Sequence, residues 1–324
     1  MPVEPWLRPV LALDARLPKP AAGTLMPQRR AASERTNRLL GPALMRGARR
    51  VDVADVEVAV DGGRITVRLY RPAGAGAVTS RLPLHVYLHG GGWCVGSLAD
   101  VDPRCRTTAA RAGCVVASVD YRLAPENQFP VGLEDAYAAL TWLVGNADEL
   151  GIDPRRVSIG GESAGANLAT VCCLLARDRG GPDIALQVLV VPATDATLSQ
   201  PSVDEMADGY LLTRRSMEEF TAAYLPAGAS RTDPLASPLH ADDLTRLPPA
   251  VIHTAEYDPL RDEGEAYARR LADAGVAVRL RRLTGHVHHS FAFTRLLASA
   301  RDAERERVAA VRYLDVERFV RSSD

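Results

Sequence analysis

Six short, nearly continuous apolar runs, separated by segments of helical length, constrain this chain more than any other feature. The runs are Leu84–Leu88, Val115–Val119, Val157–Ile159, Leu186–Val191, Val251–Thr254 and Val278–Leu283. Between them, Val101–Ala112, Leu133–Val144, Ala164–Arg177 and Glu263–Ala274 carry helical patterns. A strand with no polar alternation is buried on both faces, and helices covering both faces of a parallel sheet supply that burial. Right-handed crossovers then predict a doubly wound α/β domain. Ahead of these runs Val56, Val58 and Val60 alternate with Glu57 and Ala59, Asp61-Gly62-Gly63 turns the chain, and Ile65, Val67 and Leu69 follow. That pattern predicts a hairpin. The expected sheet is therefore mixed, with about eight strands.

Two regions stand apart from this rhythm. The first fifty residues are rich in Pro and Arg; within them Ala31–Leu40 predicts a helix stopped by Gly41-Pro42. The connection from Pro192 to Pro249 is too long for a structureless loop in a compact domain, which points to a lid or cap with its own helix at Arg214–Tyr224. The last twenty-five residues read as a charged amphipathic helix docked through Val308, Val311, Leu314 and Phe319.

Composition removes several function classes. Hydrophobic residues make up 47% and charged residues 24%, as in a globular chain with a sizeable core. With 39 basic and 40 acidic residues the net charge is −1, so no global field draws in nucleic acid or an anionic membrane. The five cysteines (94, 105, 114, 172 and 173) form no CxxC pair and read as small buried hydrophobes, which favours a reducing cytoplasm. Pro2, Pro5 and Pro9 interrupt any signal-peptide core, and no apolar run is long enough to span a bilayer. A cytoplasmic protein without stable membrane association is expected.

The chemistry is concentrated at the ends of the strands. Gly161-Glu162-Ser163-Ala164-Gly165 directly follows the Val157–Ile159 run and opens a helix. A nucleophile on so sharp a turn sits at strained dihedral angles and needs small neighbours two residues to either side, which Gly161 and Gly165 provide. The helix beginning beyond Ser163 favours negative charge there. His89-Gly90-Gly91-Gly92-Trp93 ends the Leu84–Leu88 run, and its glycines let main-chain N–H groups approach a developing oxyanion; the N–H of Ala164 is a further donor. Trp93 is a candidate pocket wall. The order Ser, Asp, His along the chain then selects Asp258 after the Val251–Thr254 run and His288 after Val278–Leu283, with Asp195 as the fallback acid. Glu256 and Asp262 read as surface or helix-start charges, and Glu126 and Asp135 as loop-fixing ion pairs. His286, His288 and His289 invite a metal reading, but no acid–His partner follows at metallohydrolase spacing. His85 and His253 read as satisfied core histidines and His240 as a solvated one.

Taken together, HGGGW at 89–93, DYRLAPEN at 120–127, DPRRVSIGGESAGANLA at 153–169, SPL at 237–239 and EYDPLRDEGEAYA at 256–268 resemble the hormone-sensitive-lipase-like (bacterial family IV) carboxylesterases of the α/β-hydrolase superfamily. The resemblance covers about residues 50–300. It implies an α/β-hydrolase fold with a helical cap: N-terminal cap helices over residues 1–50 and a catalytic domain over 51–324, with a cap insert at about 195–240. It also implies Ser163 as nucleophile, Asp258 as acid, and Gly91, Gly92 and Ala164 as oxyanion donors, with Gly90 as the alternative glycine. The family usually ends its base motif in HGF, whereas GHVHHSF stands here; counting from Gly285 selects His288 and counting back from Phe291 selects His289. Glu162 replaces the more usual Asp beside the nucleophile.

The expected activity is hydrolysis of short- to medium-chain acyl esters through an acyl-enzyme, with no cofactor and no metal, a small-molecule ester as partner and a homodimer possible. An amidase or N-/O-deacetylase using the same triad is the alternative, and a non-catalytic ligand receptor on this fold is the reading from another class.

Overall fold

A computed structural model of the chain describes residues 2–16, 26–45, 47–74, 81–314 and 316. The hairpin forms where the alternation places it: β1 (Val51–Val60) pairs antiparallel with β2 (Gly63–Pro72), with Val60 opposite Gly63. The remaining strands are β3 (Leu82–Leu88), β4 (Val115–Val119), β5 (Ile152–Glu162), β6 (Leu186–Val190), β7 (Ala250–Tyr257) and β8 (Val278–Val287). They assemble in the order β1-β2-β4-β3-β5-β6-β7-β8; β2 meets β4 antiparallel, and every later pairing is parallel. This is the expected mixed eight-stranded sheet of an α/β-hydrolase fold.

The helices are α1 (Leu7–Arg16), α2 (Met26–Leu44), α3 (Leu98–Ala112), α4 (Val131–Gly145), α5 (Ala164–Arg179), α6 (Pro201–Glu205), α7 (Arg214–Tyr224), α8 (Arg261–Asp273) and α9 (Ala298–Tyr313). Side chains alternate between two cores because strand residues point to opposite faces. Val86 and Leu88 enter the larger core with Leu133 and Leu140 of α4, Leu168 of α5 and Leu271 of α8. Tyr87 and Val116 enter the other with Val101 and Cys105 of α3 and Val308 and Val311 of α9. Helix α5 is buried without interruption from Ala164 to Ala176, so the turn at Ser163 that precedes it is firmly anchored. All five cysteines are buried and unbridged.

Three helices differ from or extend the sequence expectations. Helix α2 runs through Gly41-Pro42 rather than stopping there: beyond the proline, which has no N–H to donate, the N–H of Met45 reaches the Gly41 carbonyl at 2.8 Å and the turn continues. Helix α1 is a further N-terminal helix beside the one located at Ala31–Leu40; in its first turn Pro9 costs no helical hydrogen bond. Helix α9 begins at Ala298 and ends at Tyr313, with Leu314 at φ 52° as its left-handed cap. Val308 and Val311 are buried as expected, Leu314 is half-buried, and Phe319 lies outside the described residues. Among the described residues no helix is long and apolar enough to cross a membrane.

The topology itself locates a crevice. The crossover after β3 leads to β4 on one side, whereas that after its other neighbour, β5, leads to β6 on the opposite side, and ligands of open α/β sheets bind outside the carboxyl ends of strands at such a switch point. The segments following β3 and β5 are His89–Gly92 and Ser163.

Candidate active site

Ser163 occupies φ 54°, ψ −121°, a strained conformation for a residue with a side chain, between the end of β5 and the first turn of α5. Both glycines of the elbow are required sterically. A Cβ at Gly161 would overlap the Leu88 carbonyl oxygen and the backbone of Gly165, and one at Gly165 would overlap the carbonyls of Leu88 and His89. The turn is fixed by Ser163 N–H donating to the Val190 carbonyl at 2.9 Å and by Asn167 N–H donating to the Ser163 carbonyl at 3.0 Å.

The glycine loop lies next to this elbow because Leu88 and Gly161 are register partners in the parallel β3–β5 pair. Gly91, at φ 123°, accepts from the N–H groups of Cys94 and Val95 at 3.1 and 3.0 Å, which folds the loop into a tight turn. No described residue accepts a hydrogen bond from the main-chain N–H of Gly91, Gly92 or Ala164. Two aromatic contacts missed at the sequence level brace the loop. Tyr121 stacks on the His89 ring at 4.4 Å and donates to the His89 carbonyl at 2.8 Å; Phe220 of α7 packs so closely on Gly92 that a side chain there would collide with it. Tyr121 lies within the DYRLAPEN block, which was the only signal for it. Trp93 is both wall and packing: it borders the cavity, stacks on Tyr224 at 4.3 Å and donates to Asn167 Oδ1 at 3.3 Å.

The structure brings Asp258 and His288 together and leaves Asp195 elsewhere. His288 Nδ1 lies 2.8 Å from Asp258 Oδ2, both side chains are buried, and Asp258 Oδ1 accepts from Leu260 N–H at 2.9 Å. A ring that donates to this carboxylate through Nδ1 presents Nε2 as its acceptor nitrogen. Ser163 and His288 line the same cavity, without a hydrogen bond joining them among the described residues; such contacts are often long until substrate is in place. Asp195 also borders the cavity, but its carboxylate accepts from Thr197 and from His240 Nε2 at 3.0 Å. His240 is thus half-buried and held by Asp195 as well as partly solvated, because a 3-10 turn at Pro238–His240 folds back on the loop after β6.

The three histidines of the 286–289 segment diverge. His286 is buried between the hydroxyls of Ser290 and Ser299, each at 2.9 Å, and burial pushes its pKa down to about 4. His289 is exposed at the cavity wall with its ring edge-on to His288, 4.7 Å between centroids. Among the described residues no three His, Cys, Asp or Glu side chains are arranged to hold a metal ion. His85, bonded to Ser158 Oγ at 2.9 Å, and His253, beside Arg307 at 3.1 Å, are core histidines; burial lowers each to about 4.

Glu126 pairs with Arg30, and Asp135 accepts from Arg122 through both its N–H (3.0 Å) and its guanidinium (2.7 Å), the loop-fixing roles expected of them. Glu162 is more than a neutral variation on Asp. Its carboxylate meets Arg104, which reaches across from α3, donates to Tyr87 Oη at 2.6 Å and lies 5.0 Å from the Phe291 ring. Burial pushes the Glu162 carboxyl up, but Arg104 and then His289 and Tyr87 outweigh it, so the net displacement is downward.

The cavity above Ser163 has a volume of about 480 Å³, within the range of small-molecule sites. Val10 and Leu13 of α1, Leu40 and Leu44 of α2, and Met217 and Phe220 of α7 supply much of its apolar wall. Arg30 of α2 donates to the Cys94 carbonyl at 2.5 Å, and Asn37 donates to Asp100 at 2.8 Å, so α2 is moored to the segment beyond the glycine loop.

A family model described as alpha/beta hydrolase fold matches residues 85–292. The chain is 47% identical over 247 residues to carboxylic ester hydrolase LipN of Mycobacterium tuberculosis, covering 74% of this chain and 64% of LipN. It is 44% identical over 252 residues to carboxylesterase NlhH of the same organism, covering 76% of this chain and 78% of NlhH. Among solved structures, a hyperthermophilic esterase from the archaeon Pyrobaculum calidifontis superposes with a TM-score of 0.90 at 39% identity, over 97% of this chain and 99% of the other.

Proposed function

The chain belongs to the α/β-hydrolase family, in its hormone-sensitive-lipase-like branch, and from that premise we propose that it is a serine carboxylesterase acting through Ser163, His288 and Asp258. The observation that carries this reading is the buried Asp258–His288 pair at 2.8 Å, opening on the cavity that also holds the strained Ser163. His288 Nε2 removes the Ser163 proton as Oγ attacks the ester carbonyl, and Asp258 stabilises the imidazolium. The N–H groups of Gly91, Gly92 and Ala164 receive the oxyanion, each donor lowering the barrier by about 3 kcal/mol. The tetrahedral adduct expels the alcohol, which takes the proton from His288. Water, deprotonated by His288, then attacks the acyl-enzyme and releases the acid and Ser163. The similar proteins named above are described as ester hydrolases or esterases, which favours esters over amides.

Helices α1 and α2 and the insert carrying α7 form the cap, and their apolar wall selects short to medium acyl chains. The five buried, unbridged thiols suit the cytoplasm.

Ser163→Ala should remove ester turnover by about 10⁶-fold in kcat with the fold intact. An alkyl phosphonate fluoride should label the wild type at Ser163, measured by intact mass; ester hydrolysis that survives in the alanine variant refutes the assignment. Across a series of p-nitrophenyl esters, each added methylene should raise kcat/KM about fourfold while the cavity fills, since burial of one contributes ~0.8 kcal/mol. The gain should reverse at long chains; a rate still climbing there would show that the cavity does not set chain length.

A further inference from the structure

Glu263 is a buried acid for which the ester mechanism has no use. It sits in the first turn of α8, shortly after Asp258, with no solvent exposure, and it borders the cavity that holds Ser163 and His288. Oε1 accepts from the N–H groups of Thr194 at 2.6 Å and Asp195 at 3.2 Å. Oε2 has no partner among the described residues. The ionisable groups facing it are Asp195, itself bonded to His240, and Asp258, bonded to His288; on its own helix Asp262 is paired with Arg261. No described Arg, Lys or His forms an ion pair with Glu263, whereas two carboxylates lie near it. An ionised carboxylate in such a place would be buried without a counter-charge and beside like charges, and such a group takes up a proton instead.

We propose that Glu263 is a positioning residue of the catalytic site, held as an uncharged carboxylic acid: Oε1 pins the Thr194–Asp195 turn, and the proton on Oε2 keeps a further negative charge away from the Asp258–His288 pair. The inference rests on the triad reading given above. Burial raises its carboxyl well above the usual range, the Thr194 N–H opposes that, and Asp195 and Asp258 add to the rise. Loss of the Oε2 proton in alkali sets like charges side by side and drives the acid pair out of register.

The sign of the stability effect follows. In the unfolded chain Glu263 ionises at its ordinary value of 4.5, while in the folded chain it keeps its proton to higher pH. Between those limits the native state binds more protons, so stability falls as pH rises. Glutamine cannot ionise. The unfolding free energy of Glu263→Gln should therefore gain on the wild type as pH rises from about 5 to about 9.

The test compares wild type, Glu263→Gln and Glu263→Ala by kcat and KM for a short acyl ester and by urea unfolding over that range. Glu263→Gln should keep kcat near neutral pH within about threefold, with a weaker alkaline decline. Glu263→Ala, which frees the turn, should lose at least about tenfold in kcat with little change in KM. Identical pH dependence of wild type and Glu263→Gln in both rate and stability overturns the proposal. So does a glutamine variant that folds yet is as impaired as alanine, because an ionised carboxylate would then be the working form. If glutamine prevents folding, carboxyl NMR of wild type carrying carbon-13 glutamate decides: every glutamate ionised at neutral pH overturns the proposal, and one still protonated supports it. Ser163→Ala assayed alongside judges the triad reading separately, since unfolding and carboxyl titration need no turnover.

Discussion

Ester hydrolysis in His288→Ala should fall by about 10⁵- to 10⁶-fold in kcat, with KM changed little and the circular dichroism of the fold retained. His289→Ala should stay within about tenfold of the wild type. The difference follows from where the rings sit. His288 is buried with Nδ1 on Asp258, so its remaining nitrogen is the group positioned to take a proton. His289, one residue on, is exposed at the cavity wall and touches His288 only edge-on. No described carboxylate hydrogen-bonds its ring to fix the tautomer, as Asp258 does for His288, and a base without that support loses orders of magnitude. Steady-state kinetics of the two variants decide the matter. A severe loss in His289→Ala together with an active His288→Ala would assign the base to residue 289.

Arg104→Leu should cost about 3–5 kcal/mol of stability at neutral pH, because it leaves the Glu162 carboxylate buried without its counter-ion. The wild-type carboxyl is held below its ordinary 4.5, since Arg104, His289 and Tyr87 together outweigh burial. Its contribution is therefore present above that value and is lost as pH falls through the folded-state value. In the leucine variant burial acts unopposed by Arg104, the carboxyl is displaced upward, and the penalty disappears once acid protonates it. The stability gap should be widest at neutral pH and should narrow towards about pH 4.5. Adding Glu162→Gln to Arg104→Leu should recover much of the loss, as expected of two residues that interact directly. Urea unfolding at several pH values measures both effects; a gap that stays constant with pH would show that Glu162 is not the group left exposed to burial. Arg104 also lies over Phe291, just beyond the histidine segment, so kcat should fall in the same variant.

Much of the architecture is legible without coordinates because its signals are local. Unbroken apolar runs need cover on both faces, and the Asp61-Gly62 turn between alternating segments permits little but a hairpin. The elbow is legible for the same reason: the demand for glycine two residues either side of Ser163 arises from contacts with Leu88 and His89 that any strand–turn–helix of this shape would make. Local pattern misleads where a long-range partner pays for a local fault. Proline at 42 reads as a helix stop, yet α2 is held through Arg30 and Asn37 to Cys94 and Asp100, far along the chain, and continues past it.

The sequence by itself determined the fold class, the strained serine, the glycine-rich loop and a short set of acids and bases. Asp195 and Asp258 both follow strands; chain order and the EYDPLRDEGEAYA block single out Asp258, but its contact with His288 is visible only in three dimensions. Strand β7 lies beside β8 while β6 does not, so Asp258 and His288 emerge at neighbouring edges, and Asp195 turns to His240 instead. The buried partnership of Arg104 with Glu162, and the solitude of Glu263 among carboxylates, have the same origin. Hydrophobic period is a property of a dozen consecutive residues, whereas charge pairing depends on distance in space, which sequence separation does not encode.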